Sequence, residues 1–436
     1  MSYLLKKVIV YLLKVLAKGV LHRQRPDIIG ITGSVGKTST KEAIYAVLSS
    51  HYQVRCNSKS YNNEIGVPLT IIGIDSYPGR NLWRWLVVVG RGLFFSVYPS
   101  RAYPKILVLE MGADHPGDIK YLASFVKSKV GVITAIAPVH IEFFKKVENI
   151  LAEKKILIDT LPSDGVAIVN GDDSMLKRSI AKIKAKVLTF GFGDSVDVQG
   201  SEVRLSSGSS DQAGGVKGIS FKLSYQGHVV PVFMPGVLGR HQVYAALAAA
   251  AVGVVFELNL VQISEALRMF KPPRGRMNLL PGIKHTFIID DSYNSSPTAA
   301  QAALEVLAEM SKGKSVRSIA VLGDMLELGA YTERGHREVG HKAAELGIDY
   351  LICVGARARY IGHGAEEAGM DESNIFYFSD VKEASRFLQE LIKQGDFILI
   401  KGSQGARMER AVKEVMAHPE LAPQLLVRQE DSWQRQ

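Results

Sequence analysis

Short apolar strands alternate with amphipathic helices in two separate stretches of this chain, and this alternation limits the possible fold more than any other feature. In the first stretch the strand-like segments are DIIGIT (27–32), KILVLEM (105–111), VGVITAI (130–136) and GVAIVN (165–170). In the second stretch they are TFIIDDS (286–292), SIAVLGD (318–324), YLICVG (350–355) and FILIKGS (397–403). Strands that alternate with helices form parallel sheets covered on both faces. The sequence therefore predicts an α/β protein with two doubly wound sheets.

A glycine-rich segment follows the first strand and opens a helix, which is the setting of a phosphate-binding loop. Ile31 stands where the full P-loop spacing has its first glycine, but the shorter pattern G-[ST]-x-G-K-[ST] is complete. In such loops backbone N–H groups hold phosphate oxygens, Lys37 reaches the β- and γ-phosphates, and Thr38 offers a hydroxyl to Mg²⁺. We therefore expect ATP to bind the residues of this loop, namely Gly33, Ser34, Val35, Gly36, Lys37, Thr38 and Ser39.

The remaining segments complete the predicted domain organisation. Residues 201–235 alternate polar and apolar residues around SSGSSDQAGG, which predicts a β-hairpin with a loose loop. An alanine-rich helix is expected over residues 242–255, and a hinge is expected at Pro272 and Pro273. The predicted parts are an amphipathic N-terminal helix (1–27), a central P-loop-type ATP-binding domain with a mostly parallel sheet and a hairpin region (28–272), a smaller Rossmann-like domain (273–417) and a polar tail that frays (418–436).

The charge and cysteine content narrow the possible partners and compartment. The chain carries a net charge of +10, which fits nucleic acid, an anionic membrane surface or phosphorylated substrates, as well as a merely solvated basic surface. The ATP loop favours phosphorylated substrates, and we expect no nucleic-acid partner. Only two cysteines occur, Cys56 and Cys353, which favours a reducing compartment and therefore the cytoplasm.

Two segments have the composition of a membrane–water interface. In residues 1–26, Lys7, Lys14 and Lys18 form a stripe opposite apolar residues, and the uncharged runs are too short to span a bilayer. We expect an interfacial helix on the inner face of the cytoplasmic membrane; a helix packed on the protein's own body is the alternative. Residues 81–104 mix Trp, Phe and Arg in the same manner, and a buried strand or helix leading to KILVLE is the alternative there.

The ATP loop and the motifs after it resemble the Mur ligase superfamily. The resemblance covers residues 28 to about 415 and follows the family's order: GSVGKTSTKE, YNNEIGVPLT (61–70), LEMGADHPGDI (109–119), APVHIEFF (137–144), LAEKK (151–155), GRHQVYAALAAAA (239–251), PPRGRM (272–277), DDSYNSSP (290–297), VLGDMLELG (321–329) and LIKGSQGARME (399–409). The NNEIGVP, DDSYN, GDMLELG and KGS elements resemble the MurF type, which joins D-Ala-D-Ala to a UDP-linked muramoyl tripeptide.

The resemblance implies a catalytic centre with two Mg²⁺ ions. Glu110 and Thr38 match ligands of the first ion, and His140 matches a ligand of the second, although a lone histidine is often structural. Lys154 matches a lysine that is carbamylated in many relatives, which converts an amine into an anionic oxygen ligand. Lys155 stands beside it and leaves the register open by one residue. Lys37, His140 and Lys154 are the expected catalytic residues.

The resemblance also implies where the nucleotide and the substrates bind. For ATP it implies contacts with Arg276, Asp291 and, less directly, Asn294. For the growing peptide and the incoming amine it implies Asn62, Asn63, Lys401 and Ser403. Asn, Asp and Ser also favour turns for their own reasons, so loop structure is the alternative for these positions.

Two departures from the family pattern stand out. The family's helix normally reads GRHNxxNxxAA, and Gln242 and Ala245 occupy the two Asn positions here, so adenine is expected to be held differently. MurF-type members also carry an N-terminal domain before the ATP loop that helps bind the UDP-sugar. With the loop beginning at Gly30, we expect this domain to be missing and the basic helix to stand in its place.

The resemblance implies a two-step ligation. A substrate carboxylate attacks the γ-phosphate of ATP and becomes an acyl phosphate, and an amine then displaces phosphate to give an amide. The expected product belongs to peptidoglycan synthesis and hence to cell-wall formation, cell shape and division. Two alternatives stay open: the same ligation on another envelope polymer or a lipid-linked acceptor, and a membrane-associated scaffold that binds nucleotide without ligating.

Overall fold

The computed structural model describes residues 3–58, 61–79, 81–207, 216–313, 316–430 and 433. Its strands are β1 Asp27–Thr32, β2 Val54–Cys56, β3 Ile106–Glu110, β4 Val130–Ile133, β5 Val166–Asn170, β6 Lys186–Gly191, β7 Val198–Ser207, β8 Val216–Tyr225, β9 His228–Pro235, β10 Asn278–Gly282, β11 Thr286–Asp291, β12 Ser318–Gly323, β13 Tyr350–Val354, β14 Ile375–Phe378 and β15 Phe397–Lys401. Its α-helices are α1 Tyr3–Gln24, α2 Lys37–Ser49, α3 Gly66–Ile72, α4 Leu82–Val97, α5 Asp118–Ala123, α6 Ile141–Phe144, α7 Val147–Asp159, α8 Ser174–Ser179, α9 Arg240–Val255, α10 Leu260–Leu267, α11 Pro297–Ser311, α12 Thr332–Glu345, α13 Arg359–Glu367, α14 Val381–Leu391, α15 Glu409–Val415 and α16 Ala422–Leu425.

The first sheet has the order β2-β3-β1-β4-β5-β6-β7-β8-β9. Strands β2 to β7 pair in parallel, and β1 lies between β3 and β4. The carboxyl ends of these three strands therefore meet at one edge, and they carry Thr32, Glu110 and Ile133. Ligands of open α/β sheets bind at this edge, so the topology places the ATP loop beside Glu110.

The predicted β-hairpin belongs to a larger element. Strands β7, β8 and β9 form an antiparallel meander that extends the parallel sheet. The alternation of polar and apolar residues in this segment is typical of strands with one solvated face. Most of the predicted loose loop, residues 208–215, lies outside the described residues.

The second sheet has the order β10-β11-β15-β12-β13-β14. Strand β10 is an antiparallel edge strand, and the other five are parallel. Helices pack on both faces around two apolar cores. The predicted α/β fold, with a larger parallel-dominated sheet followed by a smaller Rossmann-like one, is confirmed.

Over residues 418–430 the C-terminal tail differs from the prediction that it frays, whereas residues 431, 432 and 434–436 lie outside the described residues. Residues 419–425 form helical turns, and the Arg428 side chain is buried. Its Nη1 lies 2.8 Å from Glu409 Oε2 and donates to the Ser292 carbonyl at 3.2 Å. A buried guanidinium needs such partners. The polar composition of the tail gave no sign of these partners, because Arg428 pairs with residues that are distant in sequence.

Helices α1 and α4 cover one face of the first sheet and pack on each other. On α1, Leu13, Leu16 and Ala17 are fully or almost fully buried. Gly92 of α4 faces Leu16 so closely that an added Cβ would lie 3.2 Å from its side chain. One side of α1 is thus packed on the protein's own body. This is the arrangement that was named above as the alternative to an interfacial helix for residues 1–26. No helix in the described ranges is long and apolar enough to cross a membrane.

Candidate active site

A cavity of about 850 Å³ lies between the two sheets. The first sheet contributes the ATP loop, Glu110 and His140 to its wall, and the second sheet contributes Arg276 and Asn294. The described residues that line it also include Asn62, Asn63, Asp114, Tyr293, Glu327, Ser403, Arg407 and Trp433. Most of the predicted site residues therefore surround one space, although they come from seven separate segments of the sequence.

The ATP loop has the backbone shape that a phosphate cradle requires. Gly36 caps α2 in the left-handed region, with φ 83°, a conformation that glycine adopts without strain. The Lys37 ammonium folds over the loop and donates to the carbonyls of Gly33 at 2.7 Å and Ser34 at 3.3 Å. Burial lowers the pKa of Lys37, and the Glu110 carboxylate acts in the opposite direction. The lysine is thus placed where phosphate oxygens would replace its carbonyl partners.

Gly33 is required by a close approach between the loop and β4. A Cβ added at this position would lie 1.9 Å from Thr134 Oγ1. Thr134 uses that hydroxyl to donate to the Val35 carbonyl at 2.6 Å. The neighbouring strand therefore holds the loop in shape. Thr38 and Ser39 begin α2 as buried residues, with the Thr38 hydroxyl directly after the lysine.

Glu110 ends β3 as a buried carboxylate that is 1% exposed. Its Oε1 accepts a hydrogen bond from Asn62 Nδ2 at 2.9 Å, and its backbone N–H donates to Asn57 Oδ1 at 2.7 Å. Its Oε2 is buried and has no hydrogen-bond partner among the described residues. A buried carboxylate oxygen without a partner is costly, and it fits the hard oxygen ligand that Mg²⁺ prefers.

His140 reaches across the cavity to the second sheet. It adopts a left-handed backbone conformation, with φ 53°, at the start of α6. Its Nδ1 lies 2.6 Å from Glu327 Oε2, and its Nε2 lies 3.6 Å from Asp114 Oδ1. The neighbouring imidazole holds the pKa of Glu327 below its usual range. In this conformation His140 therefore joins the two halves of the protein.

Lys154 is the buried lysine of the pair on α7. Its side chain is 1% exposed, whereas Lys155 lies at the surface and pairs with Asp159 at 2.5 Å. Burial, together with a smaller effect of the Lys37 charge, lowers the pKa of Lys154 to about 7. A lysine with this pKa is largely a neutral amine at slightly alkaline pH. Of the two lysines, Lys154 thus has the environment that the predicted modification requires.

Protein ligands alone do not form a metal cage in this cavity. In the part of the chain that the structure describes, no three His, Cys, Asp or Glu side chains cluster so as to hold a metal ion. Mg²⁺ commonly keeps waters and takes only one or two carboxylates, with substrate phosphates supplying further ligands. The pair Glu110 and Thr38 fits that pattern.

The second sheet brings together two residues that the sequence assigned to different ligands. Asp291 ends β11 and Lys401 ends β15, and Asp291 Oδ2 accepts from Lys401 Nζ at 2.5 Å. The same ammonium donates to the Asn294 carbonyl at 3.0 Å. Both side chains are buried, so they support the Asn294 loop as a buried ion pair. Arg276 faces the cavity and lies over the Tyr293 ring, 4.4 Å from its centroid.

The other predicted substrate contacts have partners within the chain. Asn63 Oδ1 accepts from the backbone of Ile65 at 3.2 Å and Gly66 at 2.9 Å, which fixes the start of α3. Ser403 Oγ accepts from the Leu326 N–H at 2.9 Å and donates to the Ser295 carbonyl at 3.3 Å. The side chains of Asn63 and Ser403 thus hold the backbone of nearby loops and helix starts, which is the alternative named above. Both residues also line the cavity.

Helix α9, in which Gln242 and Ala245 depart from the family pattern, is almost entirely buried. Gln242 is 1% exposed and donates through Nε2 to the Arg276 carbonyl at 3.4 Å. Its Oε1 is buried without a partner as far as the chain is described. Ala245 is also buried and offers no polar group. Position 242 thus connects α9 to the Arg276 segment instead of presenting an asparagine amide.

Asn57, Asp114 and Glu327 are among the residues of the site that were not predicted. The Asn57 side chain accepts from the Glu110 N–H at 2.7 Å and donates to the Glu110 carbonyl at 3.3 Å. It therefore holds both polar groups of the Glu110 backbone. Asp114 and Glu327 flank His140. A signal for Asp114 was present, since it follows Glu110 at the carboxyl end of β3 within LEMGADH. For Asn57 and Glu327 the only sequence signal is their position after a strand. Polar residues at such positions gather at one edge of a parallel sheet.

Comparison with known proteins agrees with this geometry. The sequence profile of the Mur ligase middle domain matches residues 31–76 and 96–253, and that of the Mur ligase, glutamate ligase domain, matches residues 275–404. A relative in Bacillus subtilis, UDP-N-acetylmuramoyl-tripeptide–D-alanyl-D-alanine ligase, is 31% identical over 93% of this chain and 79% of its own length. The chain belongs to the Mur ligase family. Its resemblance to the MurF type is confirmed, and like other members it is an ATP-dependent ligase.

Further relatives of the MurF type support the family and the fold. The Escherichia coli ligase of the same name is 29% identical over 91% of this chain and 78% of its own length. A crystal structure of MurF from Acinetobacter baumannii superposes with a TM-score of 0.75, at 27% identity over 92% of this chain and 79% of that one. MurF from Thermotoga maritima in complex with ADP has the same fold, with a TM-score of 0.73, 24% identity and coverage of 93% and 83%.

Proposed function

We propose that this Mur ligase joins D-Ala-D-Ala to a UDP-linked muramoyl tripeptide and thereby serves peptidoglycan synthesis in the cytoplasm. The substrates are those named for the Bacillus subtilis and Escherichia coli relatives. The observation that carries the proposal is the cavity between the sheets, where an ATP loop faces a buried carboxylate, one oxygen of which has no partner among the residues that the structure describes. Such a space suits a phosphoryl transfer from ATP to a carboxylate.

In the proposed reaction the tripeptide's terminal carboxylate attacks the γ-phosphorus of ATP. This step forms an acyl phosphate and releases ADP. The amine of D-Ala-D-Ala then attacks the acyl carbon, phosphate leaves, and the amine loses its proton. Lys37 neutralises charge on the transferring phosphoryl group from its place across the loop. The chain contributes mainly position and electrostatic stabilisation, which supply most of the catalysis in phosphoryl transfer.

The residues present fit two Mg²⁺ ions, which when bound neutralise the phosphate oxygens. Glu110 and Thr38 would hold the first ion, and the unpartnered Glu110 Oε2 is the observation in favour. His140 and a carbamylated Lys154 would hold the second. For that role His140 gives up its contact with Glu327. The neutral Lys154 amine adds CO₂ and loses a proton, and its pKa of about 7 makes that amine available near neutrality.

We propose that Arg276, Asp291 and Asn294 contact the nucleotide. Asn62, Asn63, Lys401 and Ser403 would shape the substrate side, with Lys401 acting through its ion pair with Asp291. The two domains, residues 28–272 and 273–417, would close around the substrates about Pro272 and Pro273. Closure of this kind excludes water from a reactive acyl phosphate.

The test is a ligation assay on the purified chain. ATP, Mg²⁺, the UDP-linked muramoyl tripeptide and D-Ala-D-Ala are combined, and phosphate release is measured together with the mass of the product. Phosphate release that requires both substrates and yields the pentapeptide supports the proposal. A panel of lipid-linked acceptors and other dipeptides separates the alternatives. Ligation of a different acid and amine overturns the substrate assignment, and nucleotide binding without any ligation identifies a scaffold.

A further inference from the structure

Helices α1 and α4 together expose an apolar surface, which we call the interfacial face. It comprises the outward side chains of the two helices, among them Tyr11, Val15, Trp83, Leu86 and Phe94. Trp83 is 78% exposed and Tyr11 is 70% exposed. Scattered exposed apolar residues are normal, but these side chains lie on two helices that pack on each other, and grouped apolar exposure of this kind marks an interaction site.

The two helices of the interfacial face lie mostly in segments that the family profiles do not match. The family profiles leave residues 1–30 and 77–95 unmatched, and these stretches contain α1 and most of α4. The two helices nevertheless pack on each other through Gly19 and Ser96, where an added Cβ would lie 2.5 Å from Ser96 Oγ. Two segments that the family profiles do not match thus pack together and build one surface.

The charge of the protein is concentrated in the same two segments. Residues 1–26 and 81–104 contain nine of the 53 Lys and Arg residues and none of the 43 Asp and Glu residues. The rest of the chain is therefore almost neutral, with 44 basic against 43 acidic residues. On the structure, exposed cations such as Lys18, Arg84 and Arg91 belong to the two helices that carry the face.

The lysine side of α1 borders this face. Lys6, Lys7, Lys14 and Lys18 line a groove with a volume of about 590 Å³ between α1 and the segment that carries Glu64. The Lys14 ammonium lies over the Tyr121 ring, 4.7 Å from its centroid. The stripe predicted from the sequence therefore runs along one edge of the apolar face, where a headgroup region would meet it.

We propose that the interfacial face docks the protein peripherally on an anionic lipid bilayer. The apolar side chains enter the boundary between headgroups and acyl chains, while the flanking cations meet lipid phosphates. Trp and Tyr are the residues enriched at that depth. A second copy of the chain is the rival occupant. Two such faces in contact would bring cations together without any carboxylate of these segments to pair with them, which disfavours self-association.

The test is flotation of the full chain with lipid vesicles. One set contains phosphatidylcholine and phosphatidylglycerol at a ratio of 3 to 1, and the other contains phosphatidylcholine alone. The double variant Leu86→Asp with Phe94→Asp changes two side chains of α4 that are 53% and 51% exposed. We expect it to lower vesicle binding at least about tenfold, which corresponds to 1.4 kcal/mol.

The matched control is Val261→Asp with Met269→Asp, because these side chains are 57% and 73% exposed but lie at α10, away from the face. It should float like the wild type. Lys18→Ser with Arg84→Ser should weaken binding to the anionic vesicles only, and added salt should do the same because it screens exposed charges. Thermal melting of every variant shows that the fold is kept.

Fluorescence supplies a second measurement at the face itself. The chain has three tryptophans, and Trp83 is the one that projects most from α4. A blue shift on addition of anionic vesicles, lost in Trp83→Phe, is expected. Equal flotation of the Leu86→Asp with Phe94→Asp variant and its control would overturn the proposal. So would a wild type that ignores both vesicle types and forms a dimer, by light scattering, that the same variant dissociates.

Discussion

The cavity and the interfacial face are unusual in opposite ways: the cavity region buries ionisable side chains, and the face exposes apolar ones. In the cavity region, ionisable groups such as Glu110 and Lys154 are 1% exposed. On the face, large apolar groups such as Trp83 lie in solvent. A folded chain avoids both arrangements unless something outside the chain compensates for them. The comparison teaches that the cavity is built for a charged small molecule and the face for an apolar surface.

The sharpest test of the cavity is Lys37→Ala. Removal of the ammonium leaves the transferring phosphoryl group without its cation, so we expect ligation to fall on the order of 10³-fold or more. The matched control is Lys155→Ala, since this partly exposed neighbour of Lys154 pairs with Asp159 in an i,i+4 arrangement. Both are measured by phosphate release at saturating ATP. Near wild-type turnover in Lys37→Ala would remove the loop from the mechanism.

The second largest effect is expected for Lys154→Ala, at about 10²-fold or more, by analogy with the loss of a metal-orienting group. A short carboxylic acid in the buffer should restore part of the rate by supplying the missing oxygens. Because the pKa of Lys154 is lowered to about 7, the amine that adds CO₂ predominates only above that pH. Stimulation of the wild type by bicarbonate should therefore grow as the pH rises past 7.

Two results would contradict this prediction. One is full activity in CO₂-free buffer at every pH. The other is a nucleotide-bound crystal structure, grown with bicarbonate, in which Lys154 is unmodified. The control Lys155→Ala should respond to bicarbonate as the wild type does, which separates a requirement at the buried position from a general effect of the anion.

A smaller effect, on stability, is expected for Asp290, a buried carboxylate for which we propose no ligand. Asp290 is fully buried, and burial raises its pKa to about 6. Its charge therefore destabilises the fold, and stability falls as the pH rises from the ordinary carboxyl pKa to about 6. Asp290→Asn should raise the melting temperature at pH 8 by about 2–4 °C for each kcal/mol recovered. The gain should vanish near pH 4, and an equal gain at both pH values would exclude this explanation.

The smallest effect is expected on the face. Trp83→Glu should leave ligation of soluble substrates within about twofold of the wild type, because exposed positions away from special features contribute little to the fold. The comparison between the cavity and the interfacial face therefore predicts a small loss of turnover for Trp83→Glu and a large one for Lys37→Ala. A tenfold loss of turnover in solution, with the melting temperature unchanged, would break the comparison by showing that the face takes part in catalysis.

The sheets and the ATP loop were predictable because their signals are local. Strand β1 is observed over Asp27–Thr32, the same residues as the segment DIIGIT, since a continuous apolar run of this length fits a buried parallel strand. The glycine pattern of the loop likewise fixes its conformation within a few residues. Family resemblance then indicated which strand ends meet, which a local pattern alone does not.

The parts that escaped prediction depend on contacts between distant residues. The pairing of Asp291 with Lys401 follows from the register of β11 on β15. The contact of His140 with Glu327 depends on how the two sheets approach each other. The sequence predicted one apolar side on α1, but the structure divides it into a buried side with Leu13 and an exposed side with Tyr11. That division is set by α4, far along the chain.

One consequence follows from the short segment that carries Asn62 and Glu64. Asn62 holds Glu110 at 2.9 Å, while Glu64 pairs with Lys6 of α1, also at 2.9 Å. The same short segment therefore joins the carboxylate proposed to hold a cation to the helix that carries part of the interfacial face. Thermodynamic linkage is reciprocal, so any change that attachment of α1 makes in the cation affinity of the cavity is matched by an equal change in attachment when the cation binds.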